Sequence, residues 1–384
     1  MAGSRLLPDF SLVRGGPFYE LERGLHLVGP PQFGAWRAAL FVILVSWAPL
    51  MLLALPQGKG TVRLFLSDFQ VHAMLLMSLP VLLVAEPYID SRVGVAARQF
   101  LRADLVEEKG REAFEATARG LTRWRDAPLI ELMLLGIVIA LALVSTPDPS
   151  KEWLRVADPT PRLSLAGGWY QYVSQPLARF LVLRWVWRAF GWGVFLLRVS
   201  RLPLRLVPTH PDQAGGLGFL SICQASFAPV VFAVAVPVAT YSFRTNAKAI
   251  TEAPLDYVMP QVLFAVLACL AVFAPLVFFS HQLVHAKRRG DPWFSAVAAH
   301  HSRRFEDKWF HQESPGPEPL GSPDFSSLAD LGSSFMVARK MKLFPWDQRS
   351  ILAVVAAGLA PLVILLVLDR QFLAVVSQLR KSLS

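Results

Sequence analysis

The chain has 384 residues, 54% of them hydrophobic and only 17% charged, with a mean hydropathy of +0.42. Its apolar residues bunch into runs of about twenty, the length a helix needs to cross a hydrocarbon core about 30 Å thick, which excludes an ordinary soluble globule. The net charge is +10, but the basic residues sit between the runs, so topology signalling and anionic lipid headgroups explain them better than nucleic acid does.

Residues 1–35 form a charged leader without clear periodicity, and no secretory signal or lipidation motif is visible in it. A membrane domain of six spans follows over 36–281, then a loop at 282–350, then a last span and tail at 351–384. The spans are expected at 38–55, 71–89, 128–146, 178–198, 217–239, 259–281 and 351–369. This is an all-α membrane protein of about seven transmembrane helices. Pro49, Pro80, Pro229, Pro237, Pro275 and Pro361 fall inside spans, where each removes a backbone donor and tends to kink its helix.

The connecting loops set the orientation. Residues 91–127 hold eight Lys or Arg and residues 282–350 hold ten, whereas 56–70, 147–177 and 240–258 hold two, three and two. By the positive-inside rule the rich loops and the N-terminus are cytoplasmic in a bacterial inner membrane. The tail beyond 369 fits less easily, because it carries Arg370, Arg380 and Lys381.

Loop 91–127 reads as an amphipathic basic helix, with Leu101, Leu105, Phe114, Leu121 and Trp124 on its apolar side. It can lie on the inner leaflet or pack against another cytoplasmic helix. In loop 282–350, Asp291-Pro292 reads as a helix start, a cap followed by proline at the first turn. Phe294, Val297, His301, Phe305 and Trp309 then recur at spacings of three and four. After a linker at 312–323, a second helix is expected from Ser326 or Ser327, with Leu328, Leu331, Phe335 and Ala338 on one face. Helices of this size need a neighbour, which can be each other, the 91–127 helix or a protein partner.

Ionisable residues in hydrocarbon are costly and therefore worth following. Arg184 and Arg188 share one face of the fourth span inside Arg-Trp-Val-Trp-Arg. They are candidate contacts for an anion, a lipid phosphate or a neighbouring carboxylate. Arg184 is expected to snorkel outward beside an interfacial belt of Trp185, Trp187 and Trp192, with Arg188 the buried one of the pair. A second group collects at the cytoplasmic ends of spans: Glu86, Asp90, Glu131, His210, Asp212, His281 and His285. These suit proton relay, since histidine titrates near neutral pH. His281 and His285, four apart on one helix face, are also a possible metal pair. A third signal is the turn Thr209-His210-Pro211-Asp212 leading into Gly215, Gly216 and Gly218, which can serve an anion at a helix N-terminus or tight packing.

Cys223 and Cys269 lie in apolar runs, which excludes a disulfide framework or a multi-cysteine metal site. No nucleophile elbow, nucleotide fingerprint, phosphate loop or His-Glu-x-x-His pair is present, so no cofactor is expected and the balance leans away from an enzyme.

The stretch from Arg184 to Arg188, the segment Thr209–Asp212 with Gly215-Gly216-Leu217-Gly218-Phe219-Leu220, and Ser327-Leu328-Ala329-Asp330-Leu331 together resemble a group of uncharacterised bacterial multi-spanning membrane proteins. That likeness covers roughly residues 165–345. It implies a bacterial inner-membrane location and nothing about mechanism. The leading expectation for function is transport or permeation of a small solute or ion. The alternatives are a signalling or assembly component acting through the 282–350 loop, and a lipid-headgroup enzyme using His210, Asp212 and His281 or His285.

Overall fold

The computed structural model describes residues 10–27, 31–156, 162–245, 254–311 and 322–368. The leader contributes a short helix, α1 (Pro17–Gly24). The first apolar run is α2 (Pro31–Ser46) and α3 (Ala48–Ala54), and α4 (Lys59–Ser67) follows it. The second is α5 (Phe69–His72), a wide turn at Ala73–Ser78, and α6 (Leu79–Arg102). Next come α7 (Glu108–Arg125) and α8 (Pro128–Val144), bent by 42° at their junction. Beyond an antiparallel pair of two-residue strands, β1 (Arg155–Val156) with β2 (Arg162–Leu163), stands α9 (Leu165–Trp169). A second wide turn at Tyr170–Ser174 leads into α10 (Gln175–Val199). The remainder is α11 (Phe219–Ala225), α12 (Ala228–Thr245), α13 (Pro254–Phe273), α14 (Ser280–Trp309), α15 (Pro323–Arg339) and α16 (Gln348–Leu368).

Six of these runs are long and apolar enough to cross a bilayer, and the bent α7–α8 pair raises the number to seven. The fold is all-α, and every expected span coincides with a helical run. Outward positions on the spans stay apolar: Leu132, Ile139 and Leu143 on α8 and Leu263, Leu267 and Leu270 on α13 are all exposed. A protein whose solvent is lipid has no reason to make those faces polar.

Four of the six span prolines mark a break. Pro49 starts α3 after Trp47, and Pro229 starts α12. Pro80 follows the first wide turn, and Pro275 lies in a tightened turn at Ala274–Phe279. Proline has no N–H and its ring crowds the carbonyl four residues back, so a widened or tightened turn accommodates it. Pro176 follows the second wide turn in the same way. Pro237 and Pro361 sit inside continuous helices.

α12, α13 and α16 pack together as one layer. Within it, the Gln261 amide donates to the Gly358 carbonyl, and the Gly358 backbone lies against Ala265 so closely that a side chain would collide with it. α2 packs on α6, and α10 joins α7 and α8. The loops collect at two ends. At one end, Asp68 accepts from the Lys151 ammonium at 2.7 Å and the Trp153 indole at 2.9 Å. At the other, basic end the 103–107 turn, the 200–218 segment and α14 meet, through the Arg205 N–H to the Leu105 carbonyl and the Gln282 amide to the Ser200 and Leu202 carbonyls.

Several loop expectations need correction at the basic end. The second span does not stop at residue 89: α6 runs on to Arg102, so loop 91–127 contains only one separate helix, α7. Phe114, Ala118 and Leu121 of α7 are buried where it packs on α10, and Trp124 stacks on Trp187 at 5.6 Å. α7 therefore packs, but on the span α10 and not on another cytoplasmic helix. Asp291-Pro292 does not start a helix either. α14 passes through Pro292, because helix-compatible residues flank it on both sides and only one intrahelical bond is forfeited. The second loop helix starts at Pro323, earlier than Ser326, with the Ser322 hydroxyl accepting from the Asp324 N–H as its cap. α14 and α15 dock on each other through Phe305 against Phe325 at 4.8 Å and His301 against Ser327 at 3.2 Å. Residues 369–384, with the awkward basic tail, lie outside the described residues.

Candidate functional site: a buried ionic cluster beneath a polar cleft

Arg184 and Arg188 lie one helical turn apart on α10, facing α6 and α8. The arrangement corrects the expectation for Arg184. It does not snorkel: its side chain is 2% exposed. Its Nη1 donates to Glu86 Oε1 at 3.0 Å and its Nε to Glu131 Oε1 at 3.2 Å. Arg188 donates to the same Glu86 oxygen at 2.7 Å. Two carboxylates neutralise two guanidinium groups, which removes the drive to reach water. Each cation also lies against an aromatic face, Arg184 over Phe18 at 4.5 Å and Arg188 over Trp185 at 5.2 Å. The expected tryptophan belt is largely internal. Trp185 donates to the Leu82 carbonyl and Trp192 to Gln224, and both are buried.

The leader completes this cluster. Asp90, one turn beyond Glu86 on α6, accepts from the Ser11 hydroxyl at 2.8 Å and from the Leu12 and Val13 N–H groups at 2.6 and 3.2 Å. Glu131 accepts from the Phe18 N–H at 2.7 Å. Arg125 donates to the Ser11 carbonyl at 2.7 Å. Phe10, Leu12 and Val13 are buried in the apolar core. Residues 10–18 of the leader are thus packed in place by side chains from α6, α7 and α8.

Glu22 on α1 is the residue that sequence reading missed. It is buried, and no hydrogen bond or ion pair holds its carboxyl among the described residues. Burial pushes it up from its ordinary 4.5 to about 7, and the nearby Glu86 charge pushes the same way, against the pull of Arg184 and Arg188. Loss of water around the buried carboxyl is the largest cause. Glu86 and Glu131 already balance the two arginines, so an ionised Glu22 would be the surplus anion. Glu22, Glu86 and Asp90 line one cleft of about 670 Å³, which α2 borders through Ala35 and Ala38 and whose rim carries Arg14, Arg98 and Arg125.

The other sequence candidates lie elsewhere. Asp212 organises its own turn: Oδ1 accepts from the Ala214 and Gly216 N–H groups at 2.8 and 3.1 Å, and Oδ2 from Gly218 at 2.8 Å. His210 Nδ1 stands 2.8 Å from Oδ1. Gly215 and Gly216 have φ of +65° and +100°, which explains the glycines directly. Their backbones also press on Leu206 and Met341 and on Leu105, so turn and packing coincide. His281 and His285 sit with their Nε2 atoms 3.1 Å apart on the first turns of α14. No hydrogen bond or ion pair among the described residues links the Glu86–Glu131 cluster, the His210–Asp212 turn and the His281–His285 pair. The residues expected at one depth therefore divide among three places.

Compared with known proteins, the chain matches no family model, no curated protein and no solved structure. The reading of its function rests on the cleft itself.

Proposed function

We propose that the protein moves a proton or a small cation, alone or with a solute, and that the cleft beside Glu22 is the entry to its route. The observation that carries this reading is a polar cavity lined by three carboxyls, of which Glu22 has no hydrogen-bond or ion-pair partner among the described residues and is pushed up to about 7. A group with that property changes charge under physiological conditions, as a relay or coupling residue must. The fixed Glu86–Arg184–Glu131–Arg188 lattice supplies a rigid, net-neutral floor against which one proton makes a difference. The positive-inside rule supports a cytoplasmic setting for the basic end, and with it the cleft, in a bacterial inner membrane.

The test is proton flux into proteoliposomes holding a pH-sensitive dye, driven by a potassium diffusion potential. The wild-type chain should carry protons well above protein-free vesicles, and Glu22→Gln should remove most of that flux. Equal flux in all three preparations would overturn the reading.

A second reading, an assembly role for the 282–350 loop, has its own support. Trp293 and Val297 of α14 and Phe310 just beyond it are 69%, 53% and 74% exposed on an otherwise basic stretch. Solvated aromatics among cations suit a partner surface. Photocrosslinkers at Trp293 and Phe310 would yield defined protein adducts on this reading and none on the first.

A further inference from the structure

The His281–His285 pair lies apart from the proton cleft, and the proposed function makes no use of it. The two rings are four residues apart on α14, with centroids 4.4 Å apart and planes at 67°. Their Nε2 atoms stand 3.1 Å apart. Neither imidazole has another hydrogen-bond partner among the described residues. Both side chains are exposed, while their helix is pinned. Leu283 and Ala286 are buried, the Gln282 amide donates to the Ser200 and Leu202 carbonyls, and the Gly290 backbone abuts Pro208. The rings flank an open cavity of about 390 Å³ lined also by Pro203, Leu204 and Leu206, with Arg289 one turn further along the same helix.

We propose that His281 and His285 chelate a divalent transition-metal ion through their Nε2 atoms. Imidazole nitrogens bind such ions at about 2.0–2.1 Å, and two of them 3.1 Å apart then subtend an angle of about 100° at the metal, between the octahedral and tetrahedral values. A helix that holds both nitrogens at this separation has already met the geometric demand of a chelate. The preferred ions are those suited to imidazole, copper(II) above nickel(II) and zinc(II). No third His, Cys, Asp or Glu joins the pair among the described residues, so at least two coordination positions remain for water or an anionic oxygen ligand. Arg289, at the edge of the cavity, is placed to balance such an anion. The site is of the open, exchangeable kind, unlike a closed structural zinc centre.

The experiment uses the full chain, purified through a tag without histidines in detergent micelles, and titrates it calorimetrically with zinc(II) and with nickel(II). One equivalent should bind to the wild type. His281→Ala and His285→Ala should each weaken binding at least about tenfold, a loss of about 1.4 kcal/mol, and the double variant should lose it. Electron paramagnetic resonance of the copper(II)-loaded wild type should show two equatorial nitrogens, a readout that does not depend on how the variants fold. Wild-type binding no tighter than the double variant's, or a copper signal without two-nitrogen coordination, would overturn the proposal.

Discussion

Glu86→Gln tests the energetic logic of the buried cluster. One oxygen of Glu86 accepts from both Arg184 and Arg188, at 3.0 and 2.7 Å. Arg184 keeps a second anion in Glu131. Among the described residues, Arg188 has only the Val13 carbonyl, at 3.4 Å, as a further hydrogen-bond partner. Neutralising Glu86 therefore strands Arg188 in particular. Removing one member of a buried pair costs about 3–5 kcal/mol, and the amide oxygen of glutamine retains some acceptor strength, so the expected loss is near about 3 kcal/mol. Denaturant unfolding in micelles, followed by tryptophan fluorescence with Trp185 as an internal reporter, reads it. The double variant Glu86→Leu, Arg188→Met leaves the Arg184–Glu131 pair intact. It should lie much closer to wild type than the sum of its single changes, because an apolar replacement of a whole buried pair is often neutral. A Glu86→Gln variant within about 0.5 kcal/mol of wild type, or strictly additive single changes, would refute the reasoning.

Glu22 gives a pH dependence of defined sign. Its folded value of about 7 lies above the ordinary 4.5, so folding retains a proton between those values. Its contribution to stability is therefore greatest below about pH 4.5 and falls as pH rises through 7, by about 3 kcal/mol in all. Unfolding curves of Glu22→Gln across pH 4.5–8 should lack that component and show a gain over wild type at pH 8. Gly216→Ala forces a side chain to φ +100° within 2.9 Å of Leu105 and should cost about 1–3 kcal/mol in the same unfolding assay. Asp212→Ala frees three backbone N–H groups and should cost about 3 kcal/mol or more. For topology, single cysteines at Glu115 on α7 and Glu152 at the opposite end should react oppositely with an impermeant thiol reagent applied to whole cells, Glu152→Cys labelled and Glu115→Cys protected.

The spans were legible because hydrocarbon thickness demands an uninterrupted apolar length, and that demand is local. The ends were less so. α6 and α14 continue past the apolar runs into charged sequence, since a helix once formed extends wherever nothing breaks it. Asp291-Pro292 has the form of a start signal, but the helix was already under way from Ser280 and loses only one intrahelical bond at the proline. The arginine pair was found as an anomaly, yet its partners could not be assigned, because Glu86 and Glu131 lie 98 and 53 residues away along the chain. The leader was the least readable part. Ser11, Leu12, Val13 and Phe18 are fixed by hydrogen bonds to Asp90 and Glu131, and such contacts leave no periodic trace. The one available hint was the proline-started turn with Glu20 and Glu22 ahead of the first span. His281 and His285, by contrast, were visible from spacing alone, because a separation of four fixes a shared helix face.

The account stands on a carboxyl group that exchanges its proton near neutral pH inside the cleft. Infrared difference spectroscopy of the membrane-reconstituted chain, recorded during a pH titration, observes that group directly. We predict a protonated-carboxyl band that disappears with a midpoint at about 7 and is missing from Glu22→Gln. A spectrum with no carboxyl titration near neutrality, or one that the Glu22→Gln substitution leaves unchanged, would contradict it.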